Sequence, residues 1–166
     1  MLMRSPARWT RPTRRAPPGF ILPAQPVLAL KPPIGPGWLF AVKHDGFRIV
    51  ARKDGVSVHL WSRNGGTGPW SSARACFHAF DLLALDGVDL RHLPFSGRYA
   101  KLALMLAGAP EAINLCEHTA DYDGNALFEH ACRLGLEGIV AKKKAARYRS
   151  GTCRSWVKVK NPAYER

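Results

Sequence analysis

Residues 38–65, WLFAVKHDGFRIVARKDGVSVHLWSRNG, constrain the fold of this chain more than any other stretch, because two alternating runs lie inside it. Over residues 47–51 the apolar Phe47, Ile49 and Ala51 alternate with Arg48 and Val50. Over residues 56–62, Val56, Val58 and Leu60 alternate with Ser57, His59 and Trp61. A period of two is the mark of half-buried strands. Asp54-Gly55 between them is a two-residue connection of the kind that accepts positive φ, which a tight hairpin needs. Arg48 and Arg63 then stand near opposite ends of one hairpin, and Lys43 comes just before it, framed by strands and set in apolar sequence.

The segment Lys43-His44-Asp45-Gly46-Phe47-Arg48 suggests nucleophilic attack by a lysine amine on a phosphoryl group. A lysine with the ordinary pKa of about 10.4 is mostly protonated at neutral pH and cannot attack. Neighbouring cations favour the neutral amine and also hold phosphate oxygens, so one set of groups activates a nucleophile and orients its target. Gly46 permits the tight bend.

The motif does not stand alone. KHDGFR is followed by SRNG at residues 62–65, AFDLLALDGVDLRHLPFSGR at 79–98, LEGIVAKK at 136–143 and SWVKVKNP at 155–162. Together these resemble, in family order, the adenylation domain of bacterial ATP-dependent DNA ligases, covalent nucleotidyltransferases, and most of all the type that serves end-joining repair. The resemblance runs from about Pro26 to Pro162.

Several roles follow from that resemblance. Lys43 is the nucleophile that takes AMP from ATP, and Arg48 and Arg63 meet phosphate or ribose. Phe80 packs on the adenine, Lys158 and Lys160 contact the α-phosphate, and Glu137 binds the divalent metal. Independently of the family, Lys158 and Lys160 are i and i+2 in a strand and so present two ammonium groups on one face. Magnesium takes oxygen ligands and keeps several waters, so one carboxylate beside nucleotide phosphates can suffice. The implied cofactors are ATP and Mg²⁺. The implied partners are nicked or broken double-stranded DNA and end-joining repair proteins, in a bacterial cytoplasm near the nucleoid.

Two departures from the family bear on activity. Family members carry a longer segment between SRNG and FDLL, with a D-G-E strand whose glutamate contacts the ribose and supports the metal site; here only residues 66–79 lie between them. Ala41 stands where the family usually has a glutamate near the purine, which bears on base selectivity. The family also continues into an OB domain, which is not expected within residues that stop at Arg166. The alternative to a working ligase half is therefore a truncated, catalytically inactive relic that binds ATP or DNA. An RNA ligase or capping-type transferase fits the FDLLALDG and LEGIVAKK motifs less well.

Charge agrees with a polyanionic partner: 25 Lys and Arg against 12 Asp and Glu give a net charge of +13, which favours nucleic acid and salt-sensitive binding. No apolar run reaches the 18 or so residues of a membrane span. Cys76, Cys116, Cys132 and Cys153 lack metal-ligand spacing and are expected as reduced thiols, and the six histidines are expected in surface or core positions.

The expected organisation is a basic, proline- and arginine-rich disordered tail over residues 1–20, then an adenylation domain over 21–166. Residues 23–36 read as an extended approach to a first strand at 38–43. Further strands are expected at 75–85, ending at the turn Asp86-Gly87, and at 113–117, 138–143 and 156–160. Helices are expected at 93–107 and, capped by Asp123, at 126–134. Strands with hairpin-like turns and a few helices make an α+β fold. The family architecture, twisted antiparallel sheets flanked by helices with the nucleotide between them, agrees, and the short 66–79 segment implies that it is incomplete.

Overall fold

The computed structural model describes residues 19–67, 76–120 and 123–165. The fold is α+β, built on a four-stranded sheet in the order β1 (Ala24–Ala29), β10 (Gly151–Lys160), β9 (Gly138–Lys143), β2 (Trp38–Val42). β9 runs antiparallel to both β10 and β2, while β1 lies parallel to β10 on the sheet edge. Three two-stranded sheets accompany it: β3 (Ile49–Asp54) with β4 (Ser57–Ser62), β5 (Phe77–Ala79) with β8 (Ile113–Leu115), and β6 (Ala84–Leu85) with β7 (Val88–Asp89). The β5–β8 pair is also parallel, so the sheets are mixed rather than purely antiparallel.

Alternation along the central strands divides two cores. Phe40, Ile139, Ala141, Val157 and Val159 face helix α2 (Gly124–Arg133) and pack with Ala131, Leu127 and Phe128. Leu39 and Trp156 face the other way, toward Ala24, Cys153 and Phe95 at the start of helix α1 (Phe95–Leu106). The Asp123 side chain accepts from the Asn125 backbone N–H, the expected N-cap of α2. Gly135 follows that helix with φ 66°, the left-handed conformation that ends many helices. Among the described residues, no helix is long and apolar enough to cross a membrane.

Four expectations need correction. Residues 24–29 are a strand, not merely an extended approach, because β10 supplies the pairing; Pro26, which cannot donate, sits where the register shifts on this edge strand. The run 75–85 is broken into β5 and β6, since the Asp81 carboxylate accepts from its neighbour Leu82 N–H and binds Arg98, turning the chain inward. The first hairpin turns at Gly55-Val56, with Asp54 paired to Ser57. Finally, its alternating residues are half-buried only in part: Ile49 and Leu60 are partly buried, whereas Phe47 is 79%, Val58 59% and Val56 99% exposed. Alternation marks which residues share a side, while burial along that side fades from Ile49 and Leu60 toward the turn.

Most of the expected tail, and residues 68–75 of the expected short segment, lie outside the described residues. Phe20 already packs against Trp61, with ring centroids 6.3 Å apart.

Candidate functional site

The site begins where β2 ends. The Lys43 backbone N–H donates to Gly138 O at 2.9 Å, adding one rung to the β2–β9 ladder. That rung sets Lys43 beside Glu137, the residue just before β9, and Lys43 Nζ pairs with Glu137 Oε2. The Glu137 side chain is only 11% exposed, so the charge of the pair is largely removed from water.

β10 brings the next cations. Val157 and Val159 fill the core against α2, which leaves Trp156, Lys158 and Lys160 on the other face. The Lys158 ammonium has its pKa lowered by partial burial first, and then by Lys160, Lys43, Arg48 and Arg63. All five expected cations thus act on one region.

The register explains the arginines. Ile49 pairs with Ser62, so Arg48 and Arg63 meet at the open end of the ribbon; they are opposite in sequence but adjacent in space. Arg48 is anchored by a hydrogen bond from Nη1 to Ala24 O at 2.7 Å. Its Cζ lies 5.1 Å from the centroid of Phe80, which joins the expected aromatic to the cationic group. Burial and the neighbouring Arg63 lower the Arg48 pKa, against an opposing effect of Tyr148.

Lys43 and Glu137 also border a cavity of about 690 Å³ whose wall includes His44, Asp45, His78 and Glu117. The His44 and His78 rings stack at 4.2 Å. Burial, then His78 and Lys43, lower the His44 pKa, which favours its neutral form at pH 7. Nothing in the spacing of the histidines marked this pair, because β5 delivers His78 from a distant part of the chain.

Among the described residues no group of three or more His, Cys, Asp or Glu side chains could hold a metal ion by itself. Glu137 is one hard oxygen donor at the edge of a phosphate-holding cluster. That donor set suits Mg²⁺ only if nucleotide phosphates and water complete the shell, which is how this ion is commonly bound.

A profile described as ATP dependent DNA ligase domain matches residues 67–160, more than half of the chain. The chain belongs to this family. The multifunctional non-homologous end joining protein LigD of Pseudomonas aeruginosa is 29% identical over 200 residues, covering 93% of this chain and 24% of that protein. The multifunctional non-homologous end joining DNA repair protein LigD of Mycobacterium tuberculosis is 35% identical over 118 residues, covering 70% of this chain and 15% of that protein. A solved mycobacterial DNA ligase D, complexed with ATP and MES, matches with a TM-score of 0.63 at 27% identity, over 81% of this chain and 59% of that one. The chain therefore spans less than a quarter of these two LigD proteins. An alignment of 200 residues is longer than the whole 166-residue chain, so the Pseudomonas protein has residues within the matched region that are missing here.

Within this ligase-family domain, two features of the site went unread in the sequence. Asp81 and Arg98 form a buried bidentate pair, both contacts 2.8 Å, that ties the segment after Phe80 to α1. Lys142 is the other. It is 3% exposed, donates to Phe80 O at 3.2 Å, and its Nζ sits 4.4–4.8 Å from the ring centroids of Trp156, Phe80 and Phe95. Alternation in Gly138–Lys143 places Lys142 on the side opposite Ile139 and Ala141, which was the available signal.

Burial lowers the Lys142 pKa from 10.5 to about 7, with Arg48 and Arg98 adding to the shift and Asp81 and Cys116 opposing it. Below about pH 7 both folded and unfolded chains carry this proton. Between about 7 and 10.5 only the unfolded chain does, so stability from this group rises with pH, at a limiting slope of about 1.4 kcal/mol per unit. Lys142→Met should lack that rise. Denaturation of both chains from pH 7 to 9 checks this, and parallel profiles would contradict it.

Proposed function

We propose that this chain provides the nucleotidyl-transfer part of an ATP-dependent DNA ligase, acting on nicked or broken double-stranded DNA. The observation that carries the reading is the gathering of Lys43, Glu137, Arg48, Arg63, Lys158 and Lys160 over one face of the central sheet, with Phe80 beside Arg48.

In this reading the deprotonated Lys43 Nζ attacks the α-phosphorus of ATP. The N–P bond forms, the bond from that phosphorus to the bridging oxygen breaks, and pyrophosphate leaves. AMP is then held on Lys43 as a phosphoramidate. A 5′-phosphate oxygen of the DNA takes AMP from the lysine, and the adjacent 3′-hydroxyl displaces AMP to close the backbone. Arg48, Lys158 and Lys160 hold phosphate oxygens and stabilise the charge that spreads over them during transfer. Arg63 meets ribose or phosphate with a rigid multi-donor fork, and Phe80 packs on the adenine.

Glu137 has two tasks. Paired with it, Lys43 Nζ is directed at the carboxylate, so that contact must open when the amine reaches phosphorus. A magnesium ion held by Glu137 would supply positive charge to the phosphates. Residues 21–166 are the working body in this proposal, and the basic segment 1–20 adds nonspecific hold on DNA. The setting that fits is the bacterial cytoplasm at the nucleoid, alongside end-joining repair proteins.

Intact-mass measurement after incubation with ATP and Mg²⁺ tests the reading. The expected result is a gain of one AMP, formed more slowly than by ligase domains that carry the longer segment before FDLL. The inactive relic is the second reading, favoured by the residues this chain lacks relative to the Pseudomonas protein. ATP binding without any covalent adduct would replace the first reading by the second.

A further inference from the structure

A second basic cavity, of about 380 Å³, lies outside the cluster around Lys43 and is bordered by Asp89, Arg91, His92, Arg147, Tyr148 and Arg149. Its one carboxylate is already engaged. Asp89 is 1% exposed and accepts from Arg91 Nε and Nη2, both at 2.9 Å, and from the Arg91 backbone N–H at 3.0 Å. Arg147 and Arg149 are exposed on either side of the half-buried Tyr148. The Tyr148 backbone N–H donates to Arg91 O at 2.9 Å, which holds the backbone between the two arginines against the Asp89–Arg91 turn.

Tyr148 also links this cavity to the catalytic cations. Its hydroxyl accepts from Ala24 N–H at 2.9 Å and donates to Leu22 O at 3.1 Å. Ala24 O in turn accepts from Arg48. One tyrosine therefore separates the group formed by Arg91, Arg147 and Arg149 from the group formed by Arg48, Arg63, Lys158 and Lys160. Positive charge is therefore carried by two groups joined through Tyr148 and Ala24, more than a single small anion would engage. A strand with phosphates at regular intervals would engage both.

We propose that Arg147 and Arg149, at the cavity they border with Asp89 and Arg91, form a second phosphate-binding site that takes the sugar-phosphate backbone of the DNA duplex flanking the break. The inference rests on the ligase reading for the identity of the polymer. The site gives no base readout, since guanidinium groups on backbone phosphates fix position without reading sequence. It serves to hold the duplex while its terminal phosphate reaches Lys43.

The test is the double variant Arg147→Ala/Arg149→Ala in the full chain, titrated with a labelled nicked duplex across a salt series. Loss of two phosphate contacts should weaken binding about tenfold near physiological salt and make the log–log salt slope shallower by about 2. Melting curves should coincide with the parent, because both side chains are exposed. The ATP concentration that half-saturates adduct formation should also be unchanged. An unaltered DNA affinity and slope would overturn the proposal, as would a weakened use of ATP, which would assign the arginines to the nucleotide. Arginine-dependent DNA binding in a chain that forms no adduct would sustain this inference and remove the ligase reading, so the two fail separately.

Discussion

Lys43→Arg is expected to form no AMP adduct while keeping the parent's fold. Arginine retains the positive charge that pairs with Glu137, and its backbone N–H can still donate to Gly138 O. A guanidinium, however, stays protonated in proteins and offers no lone pair to phosphorus. The loss should be complete within detection. Lys158→Ala and Lys160→Ala leave the nucleophile in place, and each should slow adduct formation by roughly 10²–10³-fold by removing charge from the transferring phosphate. Intact mass before and after ATP gives the measurement, and melting curves show whether the fold survives. An adduct persisting in the Lys43→Arg chain would take the nucleophilic role away from Lys43, whereas equal loss in all three chains would show that they had failed as a unit.

How much of this site could be read beforehand depended on how local each relation was. Lys158 and Lys160 share a face because strand geometry dictates it over two residues, and the structure keeps both on the open side of β10. The Lys43–Glu137 pair could not be read from spacing. It exists because Val42 pairs with Ile139, a register set by core packing of Phe40, Ile139 and Ala141. The family motifs placed both residues in the site without showing that they touch.

The misreadings share a cause. Alternation in the β3–β4 ribbon correctly reports strand, yet burial depends on what lies over it, and Val56 and Val58 are left mostly exposed. The reverse holds for Lys142, a residue type that is normally exposed but is here enclosed by Phe80, Phe95 and Trp156, rings drawn from three separate parts of the chain. β1 shows the same dependence on tertiary partners. Its proline-containing sequence has little strand preference, and its pairing comes from β10.

Gly138→Ala is expected to be the most damaging single-methyl change near the site. Gly138 has φ 137°, where L side chains are strained, and a Cβ there would lie 2.0 Å from Val159 O and 3.0 Å from Lys160 Cα. Those neighbours are backbone, so relief requires β9 to move off β10. Gly138 pairs with Lys160 and its carbonyl receives the Lys43 N–H; the displacement therefore separates Lys43, Glu137 and Lys160 together. Strain and overpacking combined should cost about 3 kcal/mol or more. Gly135→Ala is the matched control. Gly135 also has positive φ, 66°, but nothing lies within 4 Å of its Cβ position, so only the conformational term of about 1 kcal/mol applies. Denaturant titration of both variants separates the two effects. Equal destabilisation would mean that the close approach of β9 to β10 at Gly138 is not what holds Lys43 against Glu137.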